Sequence, residues 1–119
     1  MASVVTSVGK QWAVDKMDST VSTRLEYVAW GTGAGTAAVG DTTLFTEASE
    51  ARVVGTLSQP SADVMRLVGT MTADGAKTIT NAGSFTDAVG GTLGVHGDFT
   101  GIVLAASDQI QFTIDITVS

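Results

Sequence analysis

The last twelve residues, Asp108 to Ser119, read DQIQFTIDITVS and alternate without a break. Ile110, Phe112, Ile114, Ile116 and Val118 share one parity; Gln109, Gln111, Thr113, Asp115 and Thr117 share the other. Successive side chains of a strand point to opposite faces, so this segment is a strand with one apolar and one polar side. A strand of that kind belongs to an antiparallel sheet resting one face on a core. None of its side chains is suited to carrying chemistry, and the rest of the chain repeats both messages.

Upstream, LEYVAW at Leu25–Trp30 reads as a strand. EARVVGTLS (Glu50–Ser58) and VMRLVGTMTA (Val64–Ala73) share the phrase V-G-T and read as two antiparallel neighbours joined by a turn at Gln59–Asp63. Asp74-Gly75 is a tight-turn signal, so Lys77–Asn81 reads as a return strand. Gly83–Thr86 follows, then a turn at Gly90-Gly91, a strand at Thr92–Phe99, a loop at Thr100–Ser107 and the final strand. Short strands at this spacing indicate an all-β domain: an antiparallel β-sandwich, jelly roll or small barrel. The expected core comprises Leu25, Tyr27, Val53, Leu67, Met71, Ile79, Phe85, Leu93, Val95, Phe99, Ile110, Phe112, Ile114 and Ile116. GTGAGTAAVGDT, residues 31–42, reads as a flexible loop. Its spacing is not that of a phosphate-binding loop, and no lysine follows. Residues 41–48 suggest one helical turn capped by Asp41, with Leu44 and Phe45 under the sheet.

Residues 1–24 form a separate arm ahead of the β domain at 25–119. Val5, Val8, Trp12 and Met17 recur at helical spacing, which predicts a short amphipathic helix from Ser3 or Ser7 to Met17, ended by Asp18-Ser19-Thr20. An extended arm is the alternative.

At 119 residues the chain is of single-domain size. It has no cysteine and one histidine, so neither a disulfide framework nor a multi-histidine metal site is expected. The net charge is -6, and from Thr78 onward there is no Lys or Arg. Such a surface repels phosphate backbones and anionic bilayers, so neither nucleic acid nor membrane is an expected partner. The N-terminus lacks signal-peptide features, which predicts synthesis in a cytoplasm. Charged residues make up 15% of the chain, against roughly 25% in ordinary domains. That scarcity suits a surface partly covered by other subunits.

No catalytic set emerges, so the chain reads as a non-enzyme with no cofactor and no metal. His96 and Asp98 share a strand face and could bond, but no nucleophile motif accompanies them, and an exposed or interface histidine is expected. Glu47 and Glu50 could share a helical face. Asp74, Asp87 and Asp98 lie near turns, where aspartates bond their own backbone. Trp12, Trp30 and Tyr27 could stack on sugars, but Trp and Tyr are also interface residues, and an interface is the expected setting.

The phrases YVAWGTGAGTA, TLFTEASEARVVGT, NAGSFTDAVGGTLGVHGDFTGI and SDQIQFTIDITVS resemble small virion structural proteins of tailed bacteriophages. Thr43-Leu44, Glu47, Glu50 and Arg52 match a T-x-L…E-x-x-E-x-R stretch. Ala82-Gly83, Phe85, Asp87 and Gly90-Gly91-Thr92-Leu93 match a later A-G-x-F-D-A…G-G-x-L segment, with Thr86 inserted between Phe85 and Asp87. The likeness spans about residues 25–119. It implies a capsid decoration (cement) protein on the capsid surface of the virion. Such a protein is a jelly-roll or sandwich domain, with the major capsid protein and its own copies as partners and a trimer favoured. A tail- or fibre-associated structural or carbohydrate-binding module, with Trp30 and the adjoining loop at the contact, is the alternative. The expected partner-binding residues are Val5, Val8, Trp12 and Met17 on the arm, Trp30 beside the loop, and Arg24, Arg52 and Arg66 as cations for partner carboxylates.

Overall fold

The computed structural model describes residues 3–19 and 22–118. The Thr20 stop, parts of the 1–24 arm and Ser119, the end of the expected final strand, lie outside the described residues. The chain runs β1 (Ser3–Val5), α1 (Ser7–Met17), β2 (Tyr27–Gly31), β3 (Val53–Val54), β4 (Thr56–Ser61), β5 (Val64–Thr72), β6 (Lys77–Phe85), β7 (Leu93–Leu104) and β8 (Gln109–Thr117). Two antiparallel sheets face each other as a β-sandwich, one ordered β1-β7-β6-β2-β3 and the other β4-β5-β8.

The final strand is as the alternation predicts. Ile110, Phe112, Ile114 and Ile116 are half-buried, while Gln109, Gln111, Thr113, Asp115 and Thr117 are exposed. It pairs with β5 in unbroken register from Val64↔Thr117 to Thr72↔Gln109. The expected hairpin forms in part as β4–β5, with Thr56 opposite Val68, but the expected Glu50–Ser58 strand is divided between the two sheets and residues 59–61 are strand instead of turn. The two V-G-T glycines have a common cause. Val54 pairs with Tyr27 in the larger sheet and Thr56 with Val68 in the smaller, so the chain changes sheets at Gly55. A Cβ there would stand 2.5 Å from Leu67 Cδ1. A Cβ on Gly69 would stand 2.7 Å from Val28 Cγ2 of the opposite sheet. Both glycines sit where the layers approach too closely for a side chain.

Asp74-Gly75 turns the chain, but not into a hairpin: β5 and β6 belong to different sheets, so the turn is a corner. The expected Lys77–Asn81 and Gly83–Thr86 strands are one strand, β6, with a register shift between Ile79 and Asn81. It lies between β2 and β7, and β7 returns through the Gly90-Gly91 turn, where both glycines have φ near +70° (68° and 70°). β7 extends to Leu104, so most of the expected 100–107 loop is strand.

The helix forms as α1, capped by Thr6, but it is not amphipathic as expected: Gly9 is its buried residue, while Val8, Val14 and Met17 are exposed. Thr6 Oγ1 accepts from Gly9 N at 3.0 Å and donates to the carbonyl of Leu93 in β7. Ser3 starts a strand instead of the helix. The arm is built into the sandwich: Ser3, Val4 and Val5 pair with Gly97, His96 and Val95. Gly9 packs on Gly94 so closely that a Cβ would meet the Gly94 carbonyl at 2.5 Å.

One cluster fills the space between the sheets: Val28, Trp30, Leu67, Met71, Ala73, Ile79, Ala82 and Leu104, flanked by Phe99, Ile110, Phe112 and Ile114. A second unites Ala29, Leu44, Phe85 and Leu93 with Tyr27. Residues 32–48 form no helical turn. They fold back on themselves, with Thr32 N bonded to Thr46 O, Gly33 N to Phe45 O and Ala48 N to Trp30 O. The excursion is pinned rather than flexible, because Ser7 N bonds to Val39 O at 2.6 Å and Ala37 N to Asp98 Oδ2 at 2.6 Å.

Candidate interface

Val5 at the end of β1, Trp12 and Ala13 on α1, and Leu25 just before β2 form one wall of an apolar groove of about 210 Å³. Val64, Met65 and Ile116 form the other. The helix brings Trp12 here because Thr6 fixes its start and Gly9 lets it lie flat on β7. Trp12 is half-buried, and its Nε1 donates to Thr23 Oγ1 at 3.2 Å. Val118, which is exposed, also lines the groove. Elsewhere on α1 Val14 at 54% and Met17 at 80% are exposed, and Val8 lines a separate cleft with Trp12, Thr23 and Thr92. Exposed large apolar side chains and an apolar groove are features of a candidate interaction surface.

The other predicted contact residues lie elsewhere. Trp30 is 1% exposed in the inter-sheet core and cannot reach a partner or a sugar, which corrects its assignment to the contact. Its Nε1 donates to Glu50 Oε1 at 3.0 Å. Arg52 is occupied within the chain: Nε and Nη2 each donate to Glu47 at 2.9 Å, and Nη1 donates to the carbonyls of Asp87 and Gly90. Its guanidinium lies 3.5 Å over the Phe85 ring. It therefore clamps the Gly90-Gly91 turn and is not open to a partner carboxylate. Arg66 forms a bidentate pair with Asp115 across β5 and β8, at 2.8 and 3.0 Å. That hydrogen bonding raises the Arg66 pKa and lowers that of Asp115. Arg24 is exposed and lies outside the groove lining.

Glu47 and Glu50 share no helical face and serve separate cations. Glu50 is met by the Lys77 ammonium, which also bonds Asp74 at 2.9 Å, and by the Asp74 backbone N–H at 2.9 Å. Burial pushes the Glu50 carboxyl up, but hydrogen bonds from Lys77, the Asp74 N–H and Trp30 together outweigh it and bring the pKa from 4.5 to about 2. A carboxyl depressed on folding stabilises the protein above its unfolded pKa, and that stability is lost as pH falls. The window here is pH 4.5 down to about 2. After discounting for solvent screening at this rim position, the loss across it is about 1–2 kcal/mol. Urea unfolding at pH 7 and pH 3 should show that loss in the native sequence and a flatter profile in Glu50→Gln.

His96 is fully buried rather than exposed or at an interface, and its carboxylate is not Asp98. Nδ1 lies 2.7 Å from Asp41 Oδ2 and Nε2 lies 3.0 Å from Asn81 Oδ1. The Phe45 backbone fixes the Asn81 amide, N–H to Oδ1 and Nδ2 to C=O, each at 3.0 Å. The group ties the folded-back segment to β6 and β7. Both ring nitrogens are thus engaged by Asp41 and Asn81, which makes the arrangement a lock between segments. Sequence reasoning missed it because Asp41 and Asn81 become neighbours only through the fold. Among the described residues, no group of three His, Cys, Asp or Glu could hold a metal ion, and no helix is long and apolar enough to cross a membrane. Comparison with protein-family models, curated proteins and solved structures returns no match.

Proposed function

We propose that this protein is a structural component of a tailed-bacteriophage virion. It decorates the capsid surface and stabilises it by bridging subunits of the major capsid protein. The observation that carries this reading is the apolar groove of Val5, Trp12, Val64, Met65 and Ile116, on a domain whose helix α1 also exposes Val14 and Met17. It is a surface for a protein partner, on a β-sandwich of the kind that the phage resemblance implies. The function is mechanical and involves no catalysis: copies seated on a repeating lattice oppose outward pressure by burying area between neighbouring subunits. Multivalent seating lets modest individual contacts suffice.

The test is binding of the purified full chain to expanded capsids, together with its copy number in purified particles. Hundreds of copies support decoration; a few to a few dozen place the chain in the tail or a fibre and overturn it. Deleting residues 1–20 would be uninformative, because it removes a paired strand and the Thr6 cap. Val14→Asp with Met17→Asp is the cleaner change. Both residues are exposed, so stability should move by no more than about 0.5 kcal/mol. Capsid affinity should fall roughly tenfold or more, as for loss of apolar anchors. Unchanged affinity would remove this face from the interface.

A further inference from the structure

The four sheet edges among the described residues are protected unequally. β1 is three residues long and β3 two, too short to template a neighbour; past β1 the outer side of β7 runs on to Leu104, but that stretch is interrupted by Gly101 and Asp98 there is bonded by the Ala37 N–H. β4 carries Pro60 and a register break between Ser58 and Ser61, both of which discourage pairing. β8 has none of these devices. Its nine residues include no Pro, Gly or basic residue, its register with β5 is unbroken, and its one charge is held by Arg66. Natural edges are shielded by at least one such feature unless something covers them.

The direction of its free backbone groups follows from the register. Val118 N bonds to Asp63 O and Ala73 N to Asp108 O, so the even-numbered residues of this segment turn their backbone toward β5. Backbone groups alternate along an antiparallel strand. Gln109, Gln111, Thr113, Asp115 and Thr117 therefore direct their N–H and C=O groups to the open edge, where β8 has no neighbour among the described residues.

We propose that β8 pairs antiparallel with β8 of a second copy, about a two-fold axis at Thr113. In that register Gln111 lies opposite the partner's Asp115, Gln109 opposite the partner's Thr117, and Thr113 opposite the partner's Thr113. On the core side Ile110 meets the partner's Ile116 and Phe112 meets the partner's Ile114. Polar pairs fall on the wet face, apolar pairs continue the core, and no carboxylate faces another although each chain carries a net charge of -6. Sliding the copies by four residues to bring Asp115 opposite the partner's Asp115 would set like charges together, and a slide of two, centred on Phe112 or Ile114, leaves an outward residue at the end of each strand unpaired; the Thr113-centred register alone pairs the whole of β8. The five outward residues of each strand would close about ten hydrogen bonds. The product is a continuous sheet of six strands, three from each copy. This self-complementarity favours a second copy over a foreign strand. It gives a two-fold pair in place of the trimer implied by the resemblance, and it stands whether or not the capsid reading holds.

The mass of the full chain in solution, followed by sedimentation over a range of concentrations, tests this. The native sequence should be a dimer. Thr113→Pro removes the central outward N–H without touching a bond to β5, and should give a monomer with an unchanged far-ultraviolet circular dichroism spectrum. Gln111→Asp sets two pairs of carboxylates face to face and should raise the dimer Kd roughly tenfold; Gln111→Lys should lower it roughly severalfold. These opposite shifts keep the test decisive if Thr113→Pro fails to fold. A native monomer, a trimer indifferent to Thr113→Pro, or Gln111 variants that move together would overturn the pairing. So would a monomer whose binding to capsids is lost in Thr113→Pro, which would give the edge to a foreign strand.

Discussion

Trp30→Ala should lower unfolding stability by about 3–5 kcal/mol, the range for truncating a buried aromatic side chain. Trp30 is 1% exposed, stands edge-on to Phe112 at 6.2 Å between ring centroids, and joins both layers in the central cluster. Its loss opens a void that the rigid strands on either side cannot close. It also takes one donor from Glu50, which sits under Lys77 at the rim. Domains of this size are stable by about 5–15 kcal/mol, so the variant should melt on the order of 15 °C lower. Trp30→Phe separates the two contributions. It keeps most of the apolar volume and loses only the indole N–H, and should cost about 1–2 kcal/mol. Chemical denaturation of the two variants measures both. A loss below about 1 kcal/mol for Trp30→Ala would contradict its place in the core.

The sequence misplaced Trp30 for a physical reason. Parity placed Tyr27 inside and Trp30 outside, as it would in a sheet with one wet face. β2 is covered on both faces: Trp30 and Val28 lie between the sheets, and Ala29 and Tyr27 lie in the second cluster with Leu44. A strand buried on both sides reads as a continuous apolar run, and VAW carries that mark. β8 was legible because one of its faces is solvated and alternation survives. The β4–β5 hairpin, the Gly90-Gly91 turn and α1 were legible because local chemistry decides them. The Asp74-Gly75 corner was not, because the same turn residues serve a hairpin and a change of sheet. What decides between them is whether Lys77–Phe85 finds its partners in β2 and β7 or in β5, a choice made over long sequence distances. Asp41 looked like a helix cap, but its carboxylate is engaged by the Ala38 N–H and His96. The same holds at the interface. Trp12 could be placed on a helix from spacing, whereas Val5 lies on strand β1 instead of that helix, and Val64, Met65 and Ile116 come from the other sheet. The E-x-x-E-x-R match resolves into two intramolecular ion pairs, Glu47 with Arg52 and Glu50 with Lys77. In this chain those charges clamp a turn and a corner.

Asn81→Ala should cost about 3 kcal/mol, although the residue is polar and lies outside the main cluster. Its side chain is fully buried and satisfies the Phe45 N–H, the Phe45 C=O and His96 Nε2 together. The register shift between Ile79 and Asn81 lets consecutive residues reach the folded-back segment: Thr80 Oγ1 bonds to Gly33 O, and Asn81 bonds to Phe45. Removing the amide leaves buried groups without partners, at about 1–3 kcal/mol each, partly relieved if water enters. His96→Ala breaks the same unit from the other side and frees Asp41, so the two losses should not add. The double variant should fall short of their sum by about 0.5–3 kcal/mol, the coupling of residues in one hydrogen-bonded network. Hydrogen exchange at residues 32–48 supplies the independent readout, because either variant should release that segment while leaving β5 and β8 protected. Additive losses, or protection unchanged across 32–48, would mean that the excursion is held by its backbone bonds and by Asp98 at Ala37, not by the Asp41–His96–Asn81 lock.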